Sequence, residues 1–255
     1  MSPAVAPPAL SAADIERYSR QLILRGVGAA GQARLRAATA LVVGAGALGS
    51  PVVMYLAAAG LGRLRVADGD TVDLSNLSRQ VMHGESDLGR EKAASAAAAV
   101  GALNPAVRVE TLGHLDAAGL AGALAGVDIA CDASDNFETK FALNDACVAA
   151  GIPMVHAAIL EFGGQLTTYV PGGPCYRCLF GAPPDAEAVP TCAQAGILGS
   201  VAGVVGAIQA TEALKVVLGI GRPLSGRLLV YDGLESRTRE VAFPRDPACA
   251  APHRD

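Results

Sequence analysis

The sequence predicts an α/β fold, a mostly parallel sheet with flanking helices and antiparallel strands in its C-terminal half. Three observations point there. Short apolar runs alternate with helical stretches through roughly the first 150 residues, as parallel strands joined by helical crossovers require. A glycine turn sits between the first strand-like run and the helical stretch that follows it. Beyond residue 151, strand-like runs succeed one another without a long helix between them, which suits antiparallel neighbours.

Ser11-Ala-Ala-Asp14 is a capping-box-like helix start that leads into IERYSRQLILRG, with Arg17, Arg20 and Arg25 along it. ALVVG (40–44) is a run of buried-strand type, followed by the glycine turn and the helical stretch SPVVMYLAAAG. RLRVAD (63–68) is the next strand, so residues 40–68 make a βαβ unit of the expected size. GDTVDLSNLSRQVMHGESDLG is too rich in turn formers for a core element. REKAASAAAAVGAL is a helix stopped by Asn104-Pro105, VRVETL a strand, DAAGLAGALAG a short helix and VDIACD (127–132) a strand. PMVHAAI and GGQLTTYV are strands in direct succession, and CYRC follows the turn PGGP. GAPPDAEAVPTCAQAG is a Pro-rich crossover, and a long apolar helix precedes the closing strands GRLLVYDG and SRTREVAF.

With 255 residues, 51% hydrophobic and 17% charged, the chain is globular and large enough for a sizeable core. The net charge is −4, and no Lys/Arg cluster builds a phosphate-tracking stripe, so nucleic acid is not an expected partner. The N-terminus lacks basic residues before its apolar stretch and is broken by Pro3, Pro7 and Pro8, unlike a secretory signal. The longest apolar run, 195–210, falls short of a membrane span and continues into Glu212 and Lys215, so it reads as a buried helix and no membrane partner is expected. A cytoplasmic chain keeps its thiols reduced, so the six cysteines point to metal or thiol chemistry rather than a disulfide framework.

Gly44-Ala-Gly46-Ala-Leu-Gly49 fits GxGxxG between a strand and a helix, where glycines allow a tight turn and close approach of phosphates to the helix N-terminus. Asp68 ends the next strand, about 20 residues on, where a ribose-binding acid belongs. On these residues alone an NAD-dependent oxidoreductase is the natural reading. The segment after Asp68 argues otherwise: Asp70, Asp73, Asn76, Arg79 and Lys92 crowd together, and Asp132 and Asp135 arrive at a later strand end. A triphosphate with a divalent metal needs that many charges, and a pyrophosphate bridge on backbone amides does not. His83 and His156 are placed to approach the site, but a lone histidine near a strand end is more often structural.

The chain resembles the ThiF/MoeB/HesA family, relatives of the ubiquitin-activating enzymes. The resemblance rests on RYSRQLILRG (17–26), GAGALGS (44–50), DGDTVDLSNLSRQ (68–80), GREKA (89–93), DASDN (132–136), CYRC (175–178) and TCAQAGI (191–197). It implies a Rossmann-like domain at 11–245, with a nucleotide-binding half at about 38–150 and a carrier-binding half at about 151–245, between an arm at 1–10 and a tail at 246–255. The implied activity is ATP-dependent adenylation of the C-terminal glycine carboxylate of a ubiquitin-like sulfur carrier protein ending in Gly-Gly. An alternative in the same class is a pathway-specific peptide or carrier. Gly44, Gly46 and Gly49 would cradle the ATP phosphates, and Asp68 would bind the ribose. Asn76, Arg79 and Lys92 would contact the phosphates, Asp135 would place Mg²⁺, and Arg20 would reach ATP from the other subunit of a homodimer. The residues after 245 leave no room for the fused rhodanese domain of some relatives, so a separate sulfur donor, a rhodanese or cysteine desulfurase, is implied.

Cys175-Tyr-Arg-Cys178 has zinc-knuckle spacing. The family's second CxxC is altered here: Pro252 stands where the fourth cysteine belongs, and His253 lies four residues after Cys249. Two readings stay open, a Cys₃His zinc site and a decayed site with unpaired thiols. In the family a cysteine at the position of Cys192 forms a covalent link to the activated carrier in some members; a bystander loop cysteine is the other reading. Cys131 and Cys147 fall in a strand and a helix and read as inert core thiols.

Overall fold

The computed structural model describes residues 10–184 and 195–253. β1 (Thr39–Val43) is buried along its whole length because helices cover both faces of the sheet. It lies between β2 (Arg63–Ala67) and β4 (Ile129–Asp132), with β3 (Arg108–Leu112) outside β2 and β5 (Met154–Leu160) outside β4, all parallel. β6 (Gly163–Tyr169), β7 (Arg227–Asp232) and β8 (Arg237–Ala242) continue the sheet antiparallel, giving the order β3-β2-β1-β4-β5-β6-β7-β8. The order reverses between β1 and β4, and the C-terminal ends of strands at such a reversal are the usual ligand position in these sheets.

One face packs against α4 (Gly49–Ala58), α5 (Lys92–Leu103) and the long helix α9 (Gly199–Leu218), through Val52, Leu56, Val100, Val201 and Val205. The other packs against α6 (Ala117–Ala123), α7 (Phe137–Ala150) and α8 (Tyr176–Phe180), through Leu120, Phe141, Leu143 and Tyr176. α9 is long and apolar enough to cross a membrane by length and composition, with a mean hydropathy of 1.6. Half of its most apolar window is buried, and its buried Glu212 accepts hydrogen bonds from the Thr168 hydroxyl at 2.9 Å and the Leu224 amide at 2.7 Å, as in a core helix.

Three local expectations are revised. The first helical stretch divides at Tyr18 into α1 (Ala12–Arg17) and α2 (Ser19–Leu22). The cause is tertiary: the Tyr18 ring is 2% exposed and its hydroxyl accepts from Asn104 Nδ2 at 2.8 Å. α3 (Gly28–Ala37) stands where no element is expected, since it buries only Gly31, Gln32 and Leu35. The turn-rich segment after Asp68 forms two short 3-10 turns, Leu74–Asn76 and Glu85–Asp87, yet it contributes Val72, Met82 and His83 to the interior. Much of the Pro-rich crossover, Cys192 included, lies outside the described residues.

Candidate active site

The glycine turn leaves β1 and enters α4 at the switch point. Gly44 has φ of +100°, and a Cβ there would meet the Ala133 carbonyl oxygen at 2.4 Å, so glycine is required and the β1 and β4 loops lie in contact. A Cβ on Gly49 would meet the Gly44 carbonyl oxygen at 2.0 Å. Gly46 differs: its nearest neighbour would be Gln80 Nε2 at 3.6 Å, so nothing in the chain itself demands glycine there. A glycine at a strand-to-helix turn suits close approach of a phosphate to the backbone at a helix N-terminus.

Surrounding side chains hold the turn. The Ala45 amide donates to Asp68 Oδ2 at 2.7 Å, and the Asp70 amide donates to Asp68 Oδ1 at 2.8 Å. His83 is 7% exposed and supports the turn from below. A carbonyl only accepts, so His83 Nε2–H donates to Ala45 O at 2.8 Å, leaving Nδ1 to accept from the Ser95 hydroxyl at 2.8 Å. Asp73 caps the 3-10 turn that carries Asn76, and Arg79 Nη1 donates to the Ser75 carbonyl at 2.9 Å. Asp73 is held below the usual carboxylate range by hydrogen bonds from Ser75. Lys92, at the start of α5, is 6% exposed and its Nζ lies 2.8 Å from the exposed Asp70 carboxylate.

The β4 loop is fixed by a buried ion cluster. Asp132 accepts from Lys140 Nζ at 3.3 Å, His156 Nδ1 at 2.6 Å and the Ser134 amide at 3.1 Å. Burial alone would raise the Asp132 pKa; the charge of Lys140 and the hydrogen bond from His156 reverse that and hold it well below the usual range. Lys140 Nζ also donates to the carbonyls of Ser134 at 2.6 Å and Ala157 at 3.1 Å. Gln209 of α9 donates to the carbonyls of Asp132 and Val155 at 2.8 and 3.0 Å, tying the ends of β4 and β5. Asp135 follows on the exposed side of this clamped loop, and Asn136 caps α7 by accepting from the Thr139 amide at 2.8 Å.

Arg20 is not part of this arrangement. Its neighbour Gln21 donates to the Ala59 carbonyl, at the opposite end of α4 from the glycine turn and so about 15 Å along the helix axis.

The expected metal ligands come together. Cys175 Sγ lies 3.9 Å from Cys178 Sγ and 3.7 Å from Cys249 Sγ, and Cys178 Sγ lies 3.5 Å from His253 Nε2. None of the three thiols is in a disulfide. Around a tetrahedral zinc, with bonds of about 2.3 Å to sulfur and 2.0 Å to nitrogen, S···S edges come to about 3.8 Å and S···N edges to about 3.5 Å. The donor set and its spacing fit zinc. Without a metal, burial pushes the Cys175 thiol up to about 12. Cys131 is fully buried, and burial raises its thiol to about 12, as expected of an inert core residue.

A family model described as the ThiF family matches residues 18–251. The chain belongs to the ThiF family. The SAMP-activating enzyme E1 of Haloferax volcanii is 50% identical over 241 residues, covering 94% of this chain and 89% of that protein. The sulfur carrier protein adenylyltransferase of Thermus thermophilus is 49% identical over 243 residues, covering 92% and 90%. The adenylyltransferase and sulfurtransferase MOCS3 of Bos taurus is 51% identical over 256 residues, but this chain spans 56% of it. The crystal structure of E. coli MccB with ATP matches at a TM-score of 0.81 and 25% identity, covering 92% of this chain and 74% of that one.

Membership in the ThiF family overturns the oxidoreductase reading that the glycine fingerprint alone permits. No sequence motif of this ThiF-family chain marks Lys140, Gln209 or Ser134, which hold the β4 loop, or the support His83 gives the turn. The one local signal is Lys140 itself, a lysine four residues past the helix-capping Asn136.

Proposed function

We propose that this chain adenylates the C-terminal glycine carboxylate of a ubiquitin-like sulfur carrier protein, consuming ATP and releasing pyrophosphate. The observation that carries the reading is the glycine turn at the switch point, held by Asp68 and in contact with the Gln80 side chain and the Ala133 carbonyl, which brings the segments of Arg79 and Asp135 beside it, while Lys92 pairs with Asp70 next to Asp68. The names of the Haloferax and Thermus relatives support it. In the reaction a carrier carboxylate oxygen bonds to the α-phosphorus, and the bond from that phosphorus to the pyrophosphate oxygen breaks. Two anions are brought together while negative charge builds on phosphate oxygens, so the protein's work is positioning and electrostatic stabilisation.

The turn amides and the α4 N-terminus receive phosphate oxygens, with Asn76, Arg79 and Lys92 around them. Lys92 exchanges its exposed partner Asp70 for phosphate. Asp68 keeps free lone pairs for the ribose hydroxyls beside the two amides it already accepts. Asp135 holds Mg²⁺, which neutralises phosphate charge when bound. Cys175, Cys178, Cys249 and His253 hold a structural zinc that ties the tail to α8. The Cys192 thiolate attacks the carbonyl carbon of the carrier acyl adenylate, forming a thioester as the bond to the AMP phosphate oxygen breaks and AMP leaves, and a separate donor supplies the sulfur.

A homodimer supplies Arg20 in trans. Beside α2 the surface exposes Ile23 (75%), Leu24 (55%) and Tyr55 (56%), an apolar face suited to a second copy. The site is read as cytoplasmic, where thiols stay reduced. The test is ATP–pyrophosphate exchange with each small Gly-Gly-ending protein of the same genome, and with short peptide C-termini. Exchange driven by one carrier supports the reading. Exchange with none of the carriers, or with a peptide alone, overturns the carrier assignment.

A further inference from the structure

A second cleft, of about 440 Å³, opens at the pole of the sheet opposite the glycine turn. Its lining includes Asp14, Tyr18, Arg36, Thr39, Arg63 and Arg108. Three of these are arginines, and the strand register brings two of them side by side. Arg63 and Arg108 are direct partners in the parallel β2–β3 ladder, so their side chains leave the same face.

The next rung on that face shows how the ladder treats a cation that has an internal partner. Two residues on, Arg65 stands opposite Glu110, with Nε to Oε2 at 2.9 Å, and its Nη1 donates to the carbonyls of Ala123 and Ala125 at 2.8 and 2.7 Å. Arg63 and Arg108 have no such partner among the described residues, and like charges set opposite each other on a ladder repel. The nearby acids are already engaged. Asp14 Oδ2 accepts from the Ser11 amide and hydroxyl and pairs with Arg36 Nη1 at 3.0 Å. Asp128 Oδ2 accepts from the Thr39 amide at 2.8 Å. The cleft therefore carries an excess of guanidinium donors.

We propose that this cleft is a second anion site, separate from the nucleotide crevice, which binds a small phosphorylated metabolite between Arg63 and Arg108 with Arg36 beside them. Paired guanidinium forks match the oxygens of a phosphate monoester, and the volume is that of a small-molecule site. The positive charge is confined to one cleft rather than drawn out as a stripe, which favours a small ligand over a nucleic acid.

The test titrates inorganic phosphate and glycerol 3-phosphate into the full chain at constant ionic strength, following arginine Nε–H resonances by NMR. Saturable shifts at Arg63 and Arg108 are expected. The double variant Arg63→Gln with Arg108→Gln should weaken the apparent affinity at least tenfold, and the distant Arg237→Gln should leave it unchanged. Shifts that rise linearly and equally with chloride overturn the proposal, as does saturable binding that survives the double variant. Circular dichroism confirms that the double variant, which alters two exposed side chains, is folded.

Discussion

His156 Nδ1 lies 2.6 Å from Asp132 Oδ2, between adjacent parallel strands and almost wholly shielded from solvent. A carboxylate only accepts, so Nδ1 carries the proton, and Nε2 has no partner among the described residues as the ring faces Tyr176 at 4.3 Å. Burial lowers the His156 pKa below its ordinary 6.5, against the pull of Asp132. A histidine depressed in the folded state contributes stability above pH 6.5 and loses it as the pH falls below that value. Asp132 is also depressed, but its contribution is lost only below its unfolded value of 3.8, outside this window. Stability should therefore fall as the pH drops below about 6.5, by at most about 1.4 kcal/mol per pH unit from this one group. His156→Asn, which keeps a donor near Nδ1 but cannot titrate, should flatten that slope in urea unfolding. Equal slopes would contradict the assignment.

Lys140 is the counter-charge that makes the buried carboxylate tolerable. Lys140→Met should cost about 3–5 kcal/mol, because it strands Asp132 without its cation. Adding Asp132→Asn should recover part of the loss. Denaturant unfolding of the single and double variants checks both signs.

The glycines of the turn separate packing from binding. Gly49→Ala places a Cβ 2.0 Å from a carbonyl oxygen and should destabilise by about 1–3 kcal/mol or prevent folding. Gly46→Ala meets nothing closer than 3.6 Å, so its stability should stay within about 0.5 kcal/mol of wild type while ATP binding weakens. Unfolding midpoints and nucleotide titrations distinguish the two.

Purified protein should contain one zinc per chain, and X-ray absorption should show three sulfur ligands and one nitrogen. Cys249→Ser or His253→Ala should lose the metal or bind it far more weakly, and a chelator should lower the wild-type melting temperature. A wild type free of zinc would end the Cys₃His assignment.

If Arg20 acts across a dimer, Arg20→Ala and Asp135→Ala should each be inactive alone and recover activity when mixed, through hybrid dimers with one intact site. No recovery despite proven subunit exchange would contradict a shared site.

The turns and caps of the candidate site are legible because they are built from short local motifs. GAGALG, the segment from Asp68 to Gln80 and DASDN each announce a turn or a cap within a few positions. The parallel-then-antiparallel sheet was legible from the spacing of its apolar runs. The buried network was not, because its bonds join residues 24 and 77 positions apart, and nothing near His156 or Gln209 in sequence names their partners. The break at Tyr18 was hidden for the same reason: Asn104, which holds its hydroxyl, lies 86 residues away. α3 escaped because a short helix with three buried positions carries little apolar periodicity.

The most direct test of the adenylation site is carrier-dependent ATP–pyrophosphate exchange by Arg79→Ala beside the wild type. Arg79 is half-buried, and its side chain makes one hydrogen bond, to the Ser75 carbonyl, so the variant should fold normally. Loss of one donor to developing phosphate charge should lower exchange by about 10²–10³-fold. Near wild-type exchange in a folded Arg79→Ala protein would contradict the site.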